Sequence, residues 1–149
     1  MFWGCFAASS TGCLECVHGI IKSGDYQGGI LERNVQLGVG KLGLRRRSWV
    51  LQQDDPKDTS KSTQEWFKTK CWIVLKRPAT SPDLNPIKHL WGDLKTAVGR
   101  RNPSNLGELE QFAQEEWAKL PVERCRKLIH GYKKCLTEFI LSKGRDTKY

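Results

Sequence analysis

The sequence lacks any long apolar run. No stretch approaches the about 20 consecutive apolar residues that a membrane-spanning helix needs. The N-terminus has no basic segment, and its short apolar run, Met1–Phe6, is soon followed by Ser9 and Ser10, so it does not resemble a secretory signal. These absences predict an intracellular protein, nuclear or cytoplasmic, that is neither secreted nor bound to a membrane.

Acidic residues are scarce. The 149-residue chain has 16 Asp and Glu against 25 Lys and Arg, which gives a formal net charge of +9 and a pI near 9.4. A basic excess of this kind favours a polyanionic partner, nucleic acid before a membrane surface. The length fits one domain. The composition therefore predicts a single domain that contacts DNA.

A complete zinc-ligand pattern is also missing. Cys13 and Cys16 have the C-x-x-C spacing of half a zinc site, and His18 lies close by. No later pair of cysteines or histidines has the spacing that would supply the other half. We interpret the six cysteines as reduced thiols in ordinary turns and strands. His18, His89 and His130 are interpreted as surface or packing residues without a partner that would give them a chemical role.

Hydrophobic periodicity predicts a mixed α/β chain whose strands come early and whose helices come late. Glycines weaken the first predicted helix, because each costs about 1 kcal/mol against alanine in a helix interior. The predicted elements of the first half are a strand over Met1–Phe6, a turn at Ser9–Gly12, a returning strand over Leu14–Ile21, a helix over Tyr26–Leu42, a strand over Ser48–Gln53, a helix over Thr59–Lys70 and a strand over Cys71–Leu75.

A rigid turn then leads into a strongly patterned helix. Pro82 and Pro86 favour an extended connection before residue 86, and Asn85 is a good N-cap for a helix that starts at Pro86. Lys88 does not fit, because the third helical position favours Glu or Gln and the positive end of the helix dipole disfavours a cation. The predicted buried face of this helix consists of Ile87, Leu90, Trp91, Leu94 and Val98.

Two more helices follow. Asn105 and Glu108 form a capping box for the first, and Pro121 starts the second, which should close near Gly144. The predicted apolar face of the last helix comprises Cys125, Leu128, Ile129, Tyr132, Leu136, Phe139 and Ile140. The outer face of the first is acidic and that of the second is basic, so the two faces either pair with each other or contact DNA separately.

Several motifs together resemble the catalytic domain of Tc/mariner transposases, in their Tc-one-like branch. In chain order they are Trp3-Gly4-Cys5-Phe6 with Thr11-Gly12, Trp49 to Asp54, Ser81 to Ile87 with Leu90-Trp91, and the C-terminal run from Asn102 to Tyr149. The resemblance covers nearly the whole chain. It implies an α/β, incomplete ribonuclease H-like fold of the DDE transposase and integrase kind, with a mixed sheet followed by C-terminal helices.

The resemblance also implies a domain organisation. Residues 1–149 would form a single truncated domain, with the sheet and the motifs in 1–101 and the C-terminal helices in 102–149. The N-terminal helix-turn-helix region through which the family binds DNA ends is expected to be absent.

The resemblance implies a site in which three acidic residues bind two Mg²⁺ ions. Carboxylates suit this role because Mg²⁺ prefers oxygen ligands. Two bridged ions stabilise both the attacking and the leaving oxygen when a phosphodiester bond is broken. By resemblance, the first acid would precede Met1, the second is Asp54, and the third position holds Lys88. The interval from Asp54 to Lys88 is one residue shorter than the family's usual spacing, which could also displace Asp54. The resemblance therefore leaves Asp54 as the one acid able to bind metal.

One carboxylate cannot hold two dications, and an ammonium at the third position repels them. Lys88 could instead pair with Asp54. The leading hypothesis is a transposase-derived protein, related to DNA transposition and DNA integration, that is catalytically inactive and keeps nonspecific DNA binding. The predicted DNA contacts are Arg45, Arg46, Arg47, Lys88, Lys95, Arg100, Arg101 and the final helix.

Two alternatives remain open from the sequence. One is an active metal-dependent DNA endonuclease or strand transferase, for which Mg²⁺ would be the cofactor. The other is a non-catalytic interaction module or a poorly folded remnant, since loss of a central strand exposes sheet edges that favour association. Association with related transposase chains is a further expectation.

Overall fold

The computed structural model describes residues 1–19, 26–45, 48–52, 61–75 and 84–141. Asp54, Arg46, Arg47, the Ser81–Asp83 part of the turn and the predicted helix end near Gly144 lie outside these residues. The described elements are β1 (Phe2–Ala7), β2 (Ser10–Cys16), a π-helical segment (Tyr26–Glu32) that continues into α1 (Arg33–Lys41), α2 (Lys61–Lys70), α3 (Ile87–Arg100), α4 (Leu106–Lys119) and α5 (Val122–Leu141).

The chain opens with the predicted β-hairpin. β1 and β2 pair antiparallel from Phe2 opposite Cys16 to Ala7 opposite Ser10. The predicted turn at Ser9–Gly12 is wrong, because the turn lies at residues 8–9 and β2 already begins at Ser10. Thr11 and Gly12 are buried, and the Thr11 hydroxyl donates to the Trp117 carbonyl at 3.1 Å. Contact with a distant helix overrides the turn preference of this segment.

The two predicted central strands meet at a single parallel bridge between Leu51 and Val74. The Leu51 amide donates to the Ile73 carbonyl, and the Leu75 amide donates to the Leu51 carbonyl, both at 2.8 Å. α2 lies between these strands in the chain, which is the order of a β-α-β unit. The strands predicted over Ser48–Gln53 and Cys71–Leu75 are therefore described only as this bridge, and their pairing was not predicted.

Two apolar clusters hold the described elements together. The larger lies between the helices that follow residue 84, and the smaller lies between α1, the π-helical segment and α2. The buried members of the larger cluster are Leu90, Leu94, Val98, Ala113, Trp117 and Cys125, and those of the smaller are Leu31, Val35 and Phe67. The buried face predicted for α3 is confirmed at three positions, and its Ile87 and Trp91 pack partly buried against the same cluster.

Gly38 shows why α1 tolerates a residue that weakens helices. A Cβ atom at this position would lie 2.6 Å from the Sγ atom of Cys5, closer than two such atoms can approach. Cys5 is on β1, so the glycine lets the helix contact the hairpin closely. Burial between these elements raises the pKa of the Cys5 thiol to about 11, which keeps it protonated and unreactive at neutral pH.

The start of α4 agrees with the predicted N-cap, whereas α3 starts one residue later than predicted. In α4, Asn105 Oδ1 accepts from the Glu108 amide at 2.9 Å, and Glu108 Oε2 accepts from the Ser104 amide at 2.8 Å, so this cap is confirmed. α3 begins at Ile87 rather than at Pro86. Asn85 Oδ1 lies 3.4 Å from the Ile87 amide, and Lys88 becomes the second helical residue instead of the third.

The apolar face predicted for α5 is only partly buried. Of its members Cys125 is buried, whereas Ile129 is 37% exposed and Ile140 is 72% exposed. Cys135, which the prediction did not include, is also buried. The periodic pattern therefore predicted the helix correctly and overestimated how far its face is covered by the rest of the described chain. None of the helices in the described ranges combines the length and apolar character needed to cross a bilayer.

Candidate nucleic-acid interface

Gln52 connects the central strand pair to the start of α3. Its Nε2 atom donates to the carbonyl of Leu84 at 3.0 Å, and Leu84 is 2% exposed. Gln52 lies two residues before Asp54, and Leu84 lies four residues before Lys88. The two segments that carry the predicted second and third acid positions are thus joined by a hydrogen bond, while an ion pair between Asp54 and Lys88 stays a prediction.

Lys88 lies exposed on the first turn of α3. No described residue forms an ion pair with it. An ammonium group has three donors and no acceptor, so it cannot be a ligand for Mg²⁺. In the described part of the chain, the one group of three metal-ligating side chains lies elsewhere, at Cys16, His18 and Glu110. The described residues around position 88 therefore do not fit a magnesium site.

Lys88 and Lys95 share one exposed side of α3 with two glycines. Gly92 lies between the two lysines and Gly99 lies one turn after Lys95, both on the same side of the helix. A Cβ atom at either glycine would meet nothing within 4 Å. Each glycine costs the helix about 1 kcal/mol relative to alanine, and packing does not require it here. We name this surface, formed by Lys88, Gly92, Lys95 and Gly99, the α3 stripe. It presents two cations on a helix side without bulky neighbours, which suits close approach of a phosphate backbone.

Arg100 and Arg101 have different surroundings although they are neighbours. Arg100 is exposed. Arg101 Nη1 lies 2.6 Å from Glu115 Oε2 and 3.1 Å from Glu116 Oε1, and its guanidinium carbon lies 3.7 Å from the ring centre of Phe112. Arg101 therefore joins the end of α3 to α4, and its charge is offset by Glu115 and Glu116.

Replacing Arg101 by alanine should lower the midpoint of thermal unfolding at neutral pH. The midpoint of this variant should also fall less than that of the unmodified chain when the pH is lowered. Hydrogen bonds from Gln111 and Arg101 lower the pKa of Glu115. A carboxyl whose pKa is lowered by folding stabilises the protein above its unfolded value, near 4.5, and loses that contribution as the pH falls. Thermal unfolding between about pH 7 and pH 3 measures both effects.

Arg100→Ala is the matched control for this prediction, because Arg100 forms no ion pair with a described residue. It should leave the midpoint and its pH dependence nearly unchanged. Equal destabilisation by the two alanine variants would contradict the assigned role of Arg101.

The other predicted basic contacts are less well defined by the structure. Arg45 is exposed, and its carbonyl accepts from the Ser48 amide at 3.0 Å and from the Ser48 hydroxyl at 2.7 Å.

In α5, two of the basic residues form ion pairs within the helix. Arg126 pairs with Glu123, and Lys134 lies 3.8 Å from Glu138. Within the described ranges no ion pair joins the acidic face of α4 to the basic face of α5.

Several residues that carry the resemblance have packing roles. A Cβ atom on Gly4 would lie 2.9 Å from Trp91 and 3.3 Å from Trp117. These two indoles stack with ring centres 5.0 Å apart, and Trp117 Nε1 donates to the Gly12 carbonyl at 3.3 Å. Together with the bond from Thr11 to Trp117, these contacts attach the hairpin to α3 and α4.

A second group of polar side chains lies where β2 ends beside α4. His18 Nε2 is 3.1 Å from Glu110 Oε1, and the Cys16 Sγ atom lies within 4.8 Å of the ligand atoms of both residues. His18 is a surface residue, as predicted, with its side chain 65% exposed, but Glu110 is a partner that was not predicted. Sequence reasoning found no signal for this contact, because Glu110 belongs to the acidic face of a helix far along the chain. Burial and the Glu110 carboxylate raise the pKa of the Cys16 thiol.

Comparison with known proteins identifies the family. Residues 45–110 match the family described as DDE superfamily endonuclease. The Tcb1 transposase of Caenorhabditis briggsae is 37% identical over 153 residues, and the Tc1 transposase of Caenorhabditis elegans is 34% identical over 151 residues, with all of this chain aligned in both cases. The chain belongs to the Tc/mariner transposase family. It spans about half, 54%, of the length of each of these two relatives.

The family fold is also found in a solved structure. The Mos1 transposase catalytic domain superimposes with a TM-score of 0.80 at 21% identity, covering 96% of this chain and 74% of that one. This likeness confirms the predicted incomplete ribonuclease H-like fold of the DDE transposase kind. Mos1 has been solved with Mg, with Mn and in a strand transfer complex.

Proposed function

We propose that this member of the Tc/mariner transposase family binds duplex DNA through its phosphates, without sequence specificity, and does not cut or join DNA strands. The observation that carries the proposal is Lys88, an exposed ammonium on the first turn of α3. By resemblance to the family's motif, an acid is expected at this position. The chain is related to proteins that carry out DNA transposition and integration. We propose that it retains only the DNA binding, which its basic surface supports.

The chemistry of position 88 argues against catalysis. A two-metal mechanism needs oxygen ligands that neutralise the ions and hold them in a fixed arrangement. Lys88 supplies a positive charge instead, and no nearby described carboxylate offsets it. We propose that Asp54, the other predicted site residue, cannot by itself bind Mg²⁺ productively.

The charge distribution supports DNA binding. The net charge is +9, and the two lysines of the α3 stripe have no ion pair among the described residues. Unpaired surface cations contribute to DNA affinity mainly by releasing counterions from phosphates, independently of base sequence. Mos1 is known from a paired-end complex with a transposon end, so we propose related transposase chains as a further class of partner.

A salt titration tests binding. The purified chain, with its folding checked by circular dichroism, is titrated against a fluorescent duplex at several salt concentrations. We expect log K to fall linearly with log salt, by about 0.9 for each phosphate contact, and we expect unrelated duplex sequences to compete equally. Absence of binding at low salt, or strong preference for one sequence, would overturn the proposal.

A nicking assay tests the absence of catalysis. Supercoiled plasmid incubated with the chain and Mg²⁺ or Mn²⁺ should stay supercoiled. Asp54→Ala is the control for contaminating nucleases, because it removes the predicted remaining acid of the site. Metal-dependent nicking that disappears in Asp54→Ala would show an active enzyme.

A further inference from the structure

We infer that Cys16, His18 and Glu110 form a zinc-binding site at the junction of β2 and α4. The site is independent of the proposed DNA binding and of the magnesium chemistry of the family. It uses different residues and a different metal, and it lies where β2 meets α4 rather than on α3.

The geometry is close to that of a tetrahedral site. With metal–ligand distances of about 2.0–2.3 Å, the ligand atoms of such a site lie roughly 3.3–3.8 Å from one another. His18 Nε2 and Glu110 Oε1 are 3.1 Å apart, and the thiol, imidazole and carboxylate atoms all lie within 4.8 Å of one another. Small side-chain movements would therefore bring all three atoms to ligand distances.

The donor set selects the metal class. A thiolate, an imidazole and a carboxylate are all zinc ligands, whereas Mg²⁺ and Ca²⁺ avoid sulfur and nitrogen. On binding, the Cys16 thiol releases its proton to solvent and the neutral imidazole coordinates through Nε2. Water completes the four-coordinate shell.

The ligands are held by regular structure and remain accessible. Cys16 is the last residue of β2, Glu110 lies within α4, and both are half-buried. The His18 side chain is 65% exposed, which leaves an entry path for the ion. A bound ion would link the N-terminal hairpin to a helix more than 90 residues later in the chain, and it would stabilise only the folded state.

The C-x-x-C spacing does not create this site. Cys13 lies at a β-bulge, where two residues of β2 oppose Cys5, and the ligand atoms that cluster with Glu110 include that of Cys16 but not that of Cys13. Cys13 is therefore a matched control for Cys16, since it has the same chemistry, strand and partial burial.

Cobalt substitution tests the inference directly. The chelator-treated chain is titrated with Co²⁺, whose thiolate complexes absorb by sulfur-to-metal charge transfer, and Zn²⁺ is then added in competition. We expect one equivalent of Co²⁺ to bind with a charge-transfer band, and Zn²⁺ to displace it. Zinc at about 100 times its dissociation constant should raise the thermal midpoint by roughly 5 °C.

The variants separate a built site from adventitious binding. Cys16→Ser should abolish the charge-transfer band, and His18→Ala should weaken binding by more than roughly tenfold, while Cys13→Ser and His130→Ala leave both unchanged. His18 is exposed, so its variant folds even if Cys16→Ser does not. Absence of the band in the unmodified chain, or equal binding by His18→Ala and His130→Ala, would show that the three residues form only a surface hydrogen-bond group.

Discussion

Trp117→Ala is expected to remove most of the stability of the protein. Trp117 is 1% exposed in the larger cluster, stacks on Trp91 and contacts the position of Gly4. Truncating a buried tryptophan costs about 3–5 kcal/mol, which is a large fraction of the roughly 5–15 kcal/mol that stabilises a typical domain. Urea unfolding followed by circular dichroism should show a greatly lowered midpoint or no cooperative transition.

Two smaller changes separate the interactions of Trp117. Trp117→Phe keeps an aromatic ring against Trp91 but removes the indole donor to the Gly12 carbonyl, which retains Lys41 Nζ as a donor at 3.1 Å. Loss of this one hydrogen bond should cost about 0.5–1.5 kcal/mol. Thr11→Val removes the hydroxyl that donates to the Trp117 carbonyl, and it should cost roughly 1 kcal/mol. Leu106→Ala is the control on the same helix, because Leu106 is 59% exposed. A Trp117→Ala midpoint equal to that of Leu106→Ala would contradict this account of the core.

Local patterns predicted the helices well. In α3, the apolar spacing identified Leu90, Leu94 and Val98, all of which are buried. In α4, Asn105 was identified as the cap from its residue type and from Glu108 three positions later, and both hydrogen bonds are present. These features could be predicted because spacing and capping are decided within one or two turns of the chain.

Features decided by distant contacts could not be predicted. The start of β2 depends on the hydrogen bond from Thr11 to Trp117, which lies 106 residues away. Arg101 was grouped with the other cations because nothing in its local sequence shows that Glu115, Glu116 and Phe112 surround it. The partner of His18 was missed for the same reason.

Position 88 illustrates how far the sequence leads toward the site. The preference of a helix N-terminus for an acid and the resemblance to the transposase motif both indicated that Lys88 is unusual. The structure adds that Lys88 is exposed and shares one side of α3 with Lys95. A spacing of seven residues places Lys88 and Lys95 on the same side of the helix. Whether that side is exposed depends on which face of α3 packs against the core, and the local sequence does not decide this.

Replacing both Lys88 and Lys95 by alanine should weaken DNA binding by roughly 10- to 30-fold at low salt, if each exposed charge contributes about 1 kcal/mol. The loss should shrink as salt increases, because screening already weakens both contacts in the unmodified chain. The slope of log K against log salt should also decrease by about 0.9 for each phosphate contact removed. Fluorescence anisotropy with one duplex at several salt concentrations measures both quantities.

Lys119→Ala is the matched control, because Lys119 is also an exposed helical lysine but its Nζ atom lies 2.9 Å from Glu116. Its charge is already compensated, so its removal should change the affinity and the salt slope much less. The double variant should unfold at nearly the same urea concentration as the unmodified chain, since neither lysine packs in a core. If Lys119→Ala and the double variant lose affinity equally, the net charge of the protein governs binding and the α3 stripe is not the contact surface.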